Sequence, residues 1–549
     1  MHRNYEIPDS SQYLQLPPAL VADMKDKNID IGLSLQVLET LNRSLAAGKA
    51  NPGIRALPAQ DDTRIVHLED TESGGTGPLI FVDYGEAAAR LARFGLMLPK
   101  EPGEPRNTSK KGDRGFTRSQ LSAIGKALLP YTAYGILNGG SATSYADEKK
   151  NRGIGQGAFE AVKDQFERLA PACRGRPKGS APAFINPDGS PGPSFLELKM
   201  RHRLLAAKEY YRPGGIAGGQ EVSRGLRVRI PKEHVRVPKE RFLPLYQMTS
   251  HATHECLTAD YRRVEESDFI RPLSATLCME PATWESGIQP LICAYTHSSE
   301  GSPRRVFDRA FGRENASLPL PGGHGQCFKV LKDVFSRLRD QGIRYACLGN
   351  VDNLGYTVDP TELAILALTG SPAGFEFARR SALDLKGGVL AEDVNGRWTV
   401  ADIGPAISYE ELLDLEKLGG PSLFNCATGI FDLDYLVPHI DEISLRLPLR
   451  VSDQDKDSGR YSQVEQVAWE VMGILSDFTI FSVEKRRRFL AAKLLVDTIL
   501  TSGIGLGDSR MPTDIVKTAR NLHQGMARLL GRVYGLQLSG GRWQPEELL

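Results

Sequence analysis

Apolar positions along the chain fall into two rhythms, and the change between them divides it. Leu33, Val37, Leu38, Leu41 and Leu45 recur at helical spacing, as do Ala88, Leu91 and Ala92, so residues 1–120 read as a helical N-terminal accessory region. Pro102 to Arg114 (PGEPRNTSKKGDR) is polar, charged and glycine-bearing, which marks a loop or linker. Across 121–450 short apolar runs alternate with glycine-rich turns and amphipathic helices. Tyr134 to Leu137 is closed by Asn138, Gly139 and Gly140, and Ile343 to Leu348 by Gly349 to Asp352. Between them Phe328, Leu331, Phe335 and Leu338 share one helical face. Strand, glycine turn and helix in repetition predict an α/β fold with a mostly parallel sheet, whose ligands collect at the carboxyl ends of its strands. Residues 451–549 form a smaller C-terminal region in which Val464, Val467, Ala468, Val471 and Leu475 read as one helical face. Phe489 to Leu500 reads as a second helical or strand-like run.

Composition narrows the class. A chain of 549 residues is too long for one ordinary core, and 41% apolar with 25% charged residues is ordinary for a soluble protein. A formal charge of +1, from 68 basic and 67 acidic side chains, lacks the basic excess usual in nucleic-acid binding, whereas small anions need only a few local cations. The seven cysteines are scattered, odd in number and form no C-x-x-C pair, which argues against a disulfide framework and a structural zinc site. No apolar signal core opens the chain and no run approaches membrane-spanning length, so the expected location is the cytoplasm, away from membranes.

Three glycine turns could carry chemistry. Leu137 to Ser144 (LNGGSATS) follows a strand, and adjacent glycines there let a ligand approach the backbone; a plain tight turn fits the same residues, and there is neither a G-x-G-x-x-G nor a P-loop ending. Gly322 to Gly325 (GGHG) opens a helix near Gln326, where amides and His324 suit an anion, or where a histidine simply sits in a surface loop. Gly349 to Gly355 (GNVDNLG) ends a strand, where Asp352 suits Mg²⁺ and the amides suit sugar hydroxyls, unless this is an Asx-turn. His251 to Glu255 (HATHE) has neither zinc-protease order. Lys485 to Arg488 (KRRR) reads as a solvated charged face, and Lys493 as either a snorkelling lysine or a phosphate cation.

Taken in order, these segments resemble the UDPGP family of eukaryotic-type UTP–glucose-1-phosphate uridylyltransferases and their N-acetylhexosamine relatives. LNGGSATS resembles the family's L-x-G-G-x-G-T loop, Phe195 to Leu198 its F-L-D-L, and Pro244 to Ser250 its P-L-V-L-M-N-S. Pro321 to Gly325 resembles P-P-G-H-G, Asn350 to Gly355 N-S-D-N-L-G, and Asp384 to Gly388 D-V-K-G-G. Phe424 and Asn425 match F-N, Gln463 to Glu465 resembles Q-L-E, and Arg488 to Lys493 resembles R-F-L-P-V-K.

The resemblance implies a Rossmann-like nucleotidyltransferase core over 121–450 and a uridylyltransferase converting UTP and a sugar 1-phosphate, foremost glucose 1-phosphate, to a UDP-sugar and pyrophosphate with Mg²⁺. It implies substrate contacts from Leu137, Asn138, Gly139, Gly140, Thr143, Gly323, His324, Asn350, Asn353, Gly388 and Asn425, with Asp352 holding the metal and Lys493 the phosphates. The chain departs from the pattern in four places. The family's loop lysine is displaced, and Lys178 in Arg176 to Gly179 is the choice, with Lys149 or Lys150 as fallback. Ala142 replaces a glycine, no segment between 255 and 320 matches F-N-Q, and about fifty residues after Lys493 are too few for a C-terminal β-helix. A UDP-N-acetylhexosamine pyrophosphorylase, or an inactive nucleotide-sugar-binding protein of the same fold, stands as the alternative, and the oligomeric state is open. A dehydrogenase is disfavoured because no G-x-G-x-x-G follows a strand.

Overall fold

The computed structural model describes residues 16–47, 53–69, 77–98, 112–140, 145–212, 215–216, 238–280, 284–381, 384 and 386–548. Its centre is an eleven-stranded sheet. In chain order the strands are β1 (Ile54–Ala56), β2 (Ile65–His67), β3 (Thr132–Leu137), β4 (Leu245–Ser250), β5 (Glu285–Gln289) and β6 (Tyr345–Asn350). They continue with β7 (Ala373–Arg379), β8 (Gly388–Asp393), β9 (Trp398–Asp402), β10 (Leu423–Asp432) and β11 (Thr479–Val483). The spatial order is β2-β11-β7-β10-β6-β3-β4-β5, with β1, β8 and β9 branching beside β10. Strand β10 runs antiparallel to both β6 and β7, and the other pairs along the main order are parallel. The fold is α/β with a mixed, mainly parallel sheet.

Strands β3 and β4 are buried at every position, as expected of strands covered on both faces. Their side chains alternate between two cores. Tyr134, Ile136, Tyr345 and Cys347 join the larger core with α1 (Arg118–Leu128), α2 (Phe195–Tyr211) and α4 (Pro360–Thr369). Ala133, Leu137, Ala346 and Leu348 join the other with α3 (Lys332–Asp340) and α5 (Leu433–Arg446). Thr117 and Ser194 each complete a capping box at the start of α1 and α2, pairing the N-cap hydroxyl with Gln120 and Glu197. Helix α4 buries nearly every side chain, which accounts for its lack of a polar stripe.

The helices expected around Leu33 to Leu45 and Ala88 to Ala92 form as Ile31–Ala46 and Tyr84–Ala92. Asp113 and Arg114, expected in a loop, begin the strand Asp113–Thr117, while most of the segment before them lies outside the described residues. The helical face read from Val464 to Leu475 is not a helix. Val464 lies in the strand Gly459–Glu465, paired to Arg450–Lys456 and to Tyr295–Thr296, and Ala468–Gly473 is a 3-10 turn. Cross-strand pairing overrides a short run whose period is ambiguous. Of the run Phe489 to Leu500, only Leu495–Thr501 (α6) is helical. After it come α7 (Thr513–Arg532) and a hairpin of Leu536–Ser539 with Arg542–Pro545.

Candidate functional site

Parallel pairing of β6 with β3 sets Asn350 against Leu137, so the glycine loop after β3 and the Asp352 turn after β6 leave the sheet side by side. Asn350 is half-buried at that strand end. The loop is held from the neighbouring strand, where the Ser250 hydroxyl donates to the Gly139 carbonyl at 2.8 Å. Asn138 is 1% exposed and its Nδ2 donates to Gln247 Oε1 at 3.1 Å, while its Oδ1 has no hydrogen-bond partner among the described residues. Gly140 is exposed. Thr143 lies outside the described residues.

Lys178 connects the two turns. It sits in the 3-10 turn Lys178–Ser180, its N–H donates to the Gly140 carbonyl at 3.3 Å, and its Nζ meets Asp352 Oδ2 at 2.5 Å. Lys149 and Lys150 are exposed on the short helix Glu148–Asn151. A proline before Lys178 fixes the entry to the turn, and Gly179 packs where a Cβ would come within 2.6 Å of Asn138 Oδ1.

Lys493 reaches the same place along an extended segment. Ala492 N–H donates to the Asp352 carbonyl at 3.1 Å, and Asn353 forms a β-bridge with Ala491. The Lys493 side chain is exposed, and its charge, with that of Lys178, partly offsets the effect of burial, which pushes the Asp497 carboxyl up. Asn353 corrects the sequence reading. It is 1% exposed and its amide is committed: Oδ1 accepts from Gly355 and Leu490 at 3.0 and 2.9 Å, and Nδ2 donates to the Arg488 carbonyl at 2.9 Å. It splices the Asp352 turn to the Lys493 segment, and its burial turns the amide to the backbone rather than to the surface where a sugar would lie.

The Gly322 to Gly325 loop packs on the segment after Gly459–Glu465. Gln466 N–H donates to the Gly322 carbonyl at 2.9 Å, and Gly325 N–H donates to the Gln466 carbonyl at 2.8 Å. Gly323 has φ +84°, and a Cβ on it would lie 2.4 Å from the Gln466 carbonyl oxygen, so only glycine fits. His324 Nδ1 accepts from Ala468 N–H at 3.1 Å. Burial and the nearby Arg450 hold the imidazole down to about 4, so near neutral pH it is uncharged, with its proton on Nε2 as a donor.

Gln289 went unrecognised in the sequence. At the end of β5, its Nε2 donates to the Gly323 carbonyl at 2.7 Å, and its Oε1 lies 3.4 Å from where a Cβ on Gly139 would be. It thus bridges the two glycine loops, in the stretch where no F-N-Q counterpart was found. A glutamine closing the strand Glu285–Gln289 was the available signal.

The remaining expected positions lie further along β8 and β10. Gly388 pairs with Asp402 inside the sheet, where a Cβ would come within 2.1 Å of Val400 Cγ1, so packing explains the glycine. Asn425 is half-buried beside the irregularity between Phe375 and Phe377, and its Oδ1 accepts from Ala427 N–H at 2.8 Å. KRRR is not a solvated face: Lys485 pairs with Asp384, Arg486 and Arg487 with Glu484, and the half-buried Arg488 with Glu376. A cavity of about 770 Å³ lined by Arg118, His202, Asp359 and Arg487 contains none of the glycine-loop residues and is separate from this site.

Asp352 suits a cation carried in by phosphates. Its Oδ2 engages Lys178, its other oxygen has no protein partner among the described residues, and a lone carboxylate leaves most of a Mg²⁺ shell to phosphate and water. No group of three or more His, Cys, Asp or Glu among the described residues forms a metal cage. Among them, too, no helix is long and apolar enough to cross a membrane.

The two-sided, mainly parallel sheet with its loops at the strand ends defines an α/β fold shared with sugar-nucleotide pyrophosphorylases of known structure. A uridine diphosphate N-acetylglucosamine pyrophosphorylase from Trypanosoma brucei is similar over 94% of this chain and 90% of its own, with a TM-score of 0.52 and 16% identity. A mutant UDP-glucose pyrophosphorylase from Leishmania major is similar over 88% and 78%, with a TM-score of 0.50 and 17% identity. Residues 306–504 match the UDPGP family model, described as UTP–glucose-1-phosphate uridylyltransferase. A UTP–glucose-1-phosphate uridylyltransferase from Pyrus pyrifolia is 27% identical over 184 residues, 33% of this chain and 38% of that relative. A probable one from Schizosaccharomyces pombe is 28% identical over 188 residues, 33% and 36%. The chain thus spans less than two-fifths of the length of these curated relatives.

Proposed function

We propose that the protein is a uridylyltransferase that joins UTP to a sugar 1-phosphate, with glucose 1-phosphate as the first candidate, releasing pyrophosphate. The observation that carries this reading is the meeting of Gly140, Lys178 and Asp352, with Lys493 following on the strand segment bonded to the Asp352 carbonyl. An oxygen of the sugar phosphate attacks the α-phosphorus of UTP, the new P–O bond forms, and the bond from that phosphorus to the α,β-bridging oxygen breaks. The nucleophile is already anionic and needs no general base, so the protein's task is in-line placement and neutralisation of phosphate charge. Mg²⁺ held at Asp352 would supply part of that charge.

Lys178 and Lys493 supply the rest as the phosphates draw Lys178 from Asp352. Gly139, Gly140 and Gln289 face the uridine, and the Nε2–H of His324 donates to a phosphate oxygen. Cytoplasmic carbohydrate metabolism is the matching setting. The test is pyrophosphate release from UTP, Mg²⁺ and a panel of sugar 1-phosphates. Release with glucose 1-phosphate, absent with ATP or without Mg²⁺, is expected. Release with N-acetylhexosamine 1-phosphate alone moves the substrate to that sugar, and no release from a protein that still binds UTP replaces the transferase with a binding protein.

A further inference from the structure

Helix α2 carries a lysine with no exposed surface. Lys199 is 0% exposed, and a buried ammonium is costly unless its hydrogens are taken up. Its Nζ donates to the carbonyl oxygens of Asn353 at 2.7 Å and Tyr356 at 2.6 Å, and lies 5.1 Å from the centroid of the Tyr356 ring. Both acceptors belong to the turn that follows Asp352. Burial and the charge of Arg488 oppose the ammonium, while Asp352 and Glu376 favour it.

The other side of this turn is fixed by the Asn353 amide and by Leu354 N–H, which donates to the Leu490 carbonyl at 3.0 Å. Gly355 is packed so closely that a Cβ would come within 2.6 Å of the Arg488 carbonyl carbon. The turn is therefore gripped between the segment 487–490 and Lys199. An apolar side chain would fill the same space but remove one donor from each carbonyl and the one tie between them and α2, leaving Tyr356 N–H on the Asn353 carbonyl at 3.1 Å and the Tyr134 hydroxyl on the Tyr356 carbonyl at 2.8 Å. Arg201, two residues along α2 and 1% exposed, provides the contrast. It donates to the carbonyls of Phe269, Tyr534 and Gly535 and pairs with Glu547, none of them in the Asp352 turn.

We infer that Lys199 is a positioning residue, which holds the Asp352 turn in the geometry that binds the divalent cation and thereby sets metal affinity without touching substrate. The inference rests on the proposed role of Asp352. Buried groups that orient a metal ligand typically change metal affinity or activity by about 10–100-fold when removed.

The experiment compares wild type, Lys199→Met and Arg201→Met. Mn²⁺ binding is followed by electron paramagnetic resonance with UTP present, UTP binding by calorimetry without metal, and pyrophosphate release under the same conditions. For Lys199→Met the Mn²⁺ Kd is expected to rise about tenfold or more and kcat to fall comparably, with metal-free UTP affinity within twofold. Arg201→Met is expected to lower the thermal midpoint and leave the Mn²⁺ Kd unchanged. Lys199→Gln, which keeps an amide donor, is expected to fall between wild type and Met, and it carries the comparison if Lys199→Met does not fold. A folded Lys199 variant with wild-type Mn²⁺ affinity overturns the inference while wild-type activity stands. A wild type that neither holds Mn²⁺ with UTP nor releases pyrophosphate overturns the role of Asp352, and this inference with it.

Discussion

Gly323→Ala tests whether the loop contacts described here create the nucleotide site. At φ +84° and ψ 161° the residue occupies backbone space open essentially to glycine alone, a cost of about 1–3 kcal/mol for any other residue. The added Cβ would lie 2.4 Å from the Gln466 carbonyl oxygen and 2.7 Å from its nitrogen, backbone atoms that cannot swing aside. The loop must part from residue 466, weakening Gln466 N–H to Gly322 and Gly325 N–H to Gln466, about 1 kcal/mol each. Together these place the local loss at roughly 3–5 kcal/mol. Gly322→Ala is the control, because the atoms nearest its Cβ would be the side-chain amide of Gln326 rather than backbone. Hydrogen exchange of the Gly325 and Gln466 amides is the assay, with UTP binding measured alongside. Exchange in Gly323→Ala is expected to speed up on the order of 10²-fold or more, with UTP affinity at least tenfold weaker and a much smaller change in Gly322→Ala. Exchange and UTP affinity within twofold of wild type in Gly323→Ala would refute the reasoning.

Asp352→Ala is expected to abolish Mg²⁺-dependent pyrophosphate release with the thermal midpoint retained, and unchanged turnover removes Asp352 from the site. Lys493→Ala is expected to lower kcat on the order of 10²-fold, as for loss of a preorganised charge, and an effect under a few-fold makes Lys493 structural. His324 links stability to pH. Its folded pKa of about 4 lies below the ordinary value of 6.5, so the unfolded chain binds more protons between them. The stabilisation is therefore present above about pH 6.5 and is lost as pH falls toward 4, about 3 kcal/mol in all. His324→Gln should reduce the pH slope of the urea midpoint over that window relative to wild type, with a slope at least as large remaining from His202, which burial holds down to about 3. An unchanged slope contradicts a half-buried, neutral His324.

Local pattern alone carried much of this protein. The runs at Tyr134 to Leu137 and Ile343 to Leu348 marked strands β3 and β6, and the glycine turns closing them lie where the site's loops begin. Lys178, singled out because Arg176 to Gly179 stand in the order of the resemblance after an insertion, meets Asp352 in the fold. These features are readable because burial period, turn chemistry and motif order are written within a few residues of one another.

Tertiary structure decided what depends on distant chain returning. It inserted β10 antiparallel between β6 and β7, and drew β2 and β11 from outside residues 121–450 into the same sheet. It turned Val464 into a strand residue paired with Val451, in a strand whose other edge meets Tyr295–Thr296, and it bent Phe489 to Lys493 along the Asp352 turn through the bridge of Ala491 to Asn353, because such pairing outweighs a weak local period. It gave Asn353 to the backbone of Arg488 and Leu490, Lys199 to the carbonyls beside Asp352, and Gln289 to the carbonyl of Gly323. A polar side chain's work is set by which donors and acceptors the fold brings within about 3 Å of it, and that juxtaposition exists only once the chain has closed.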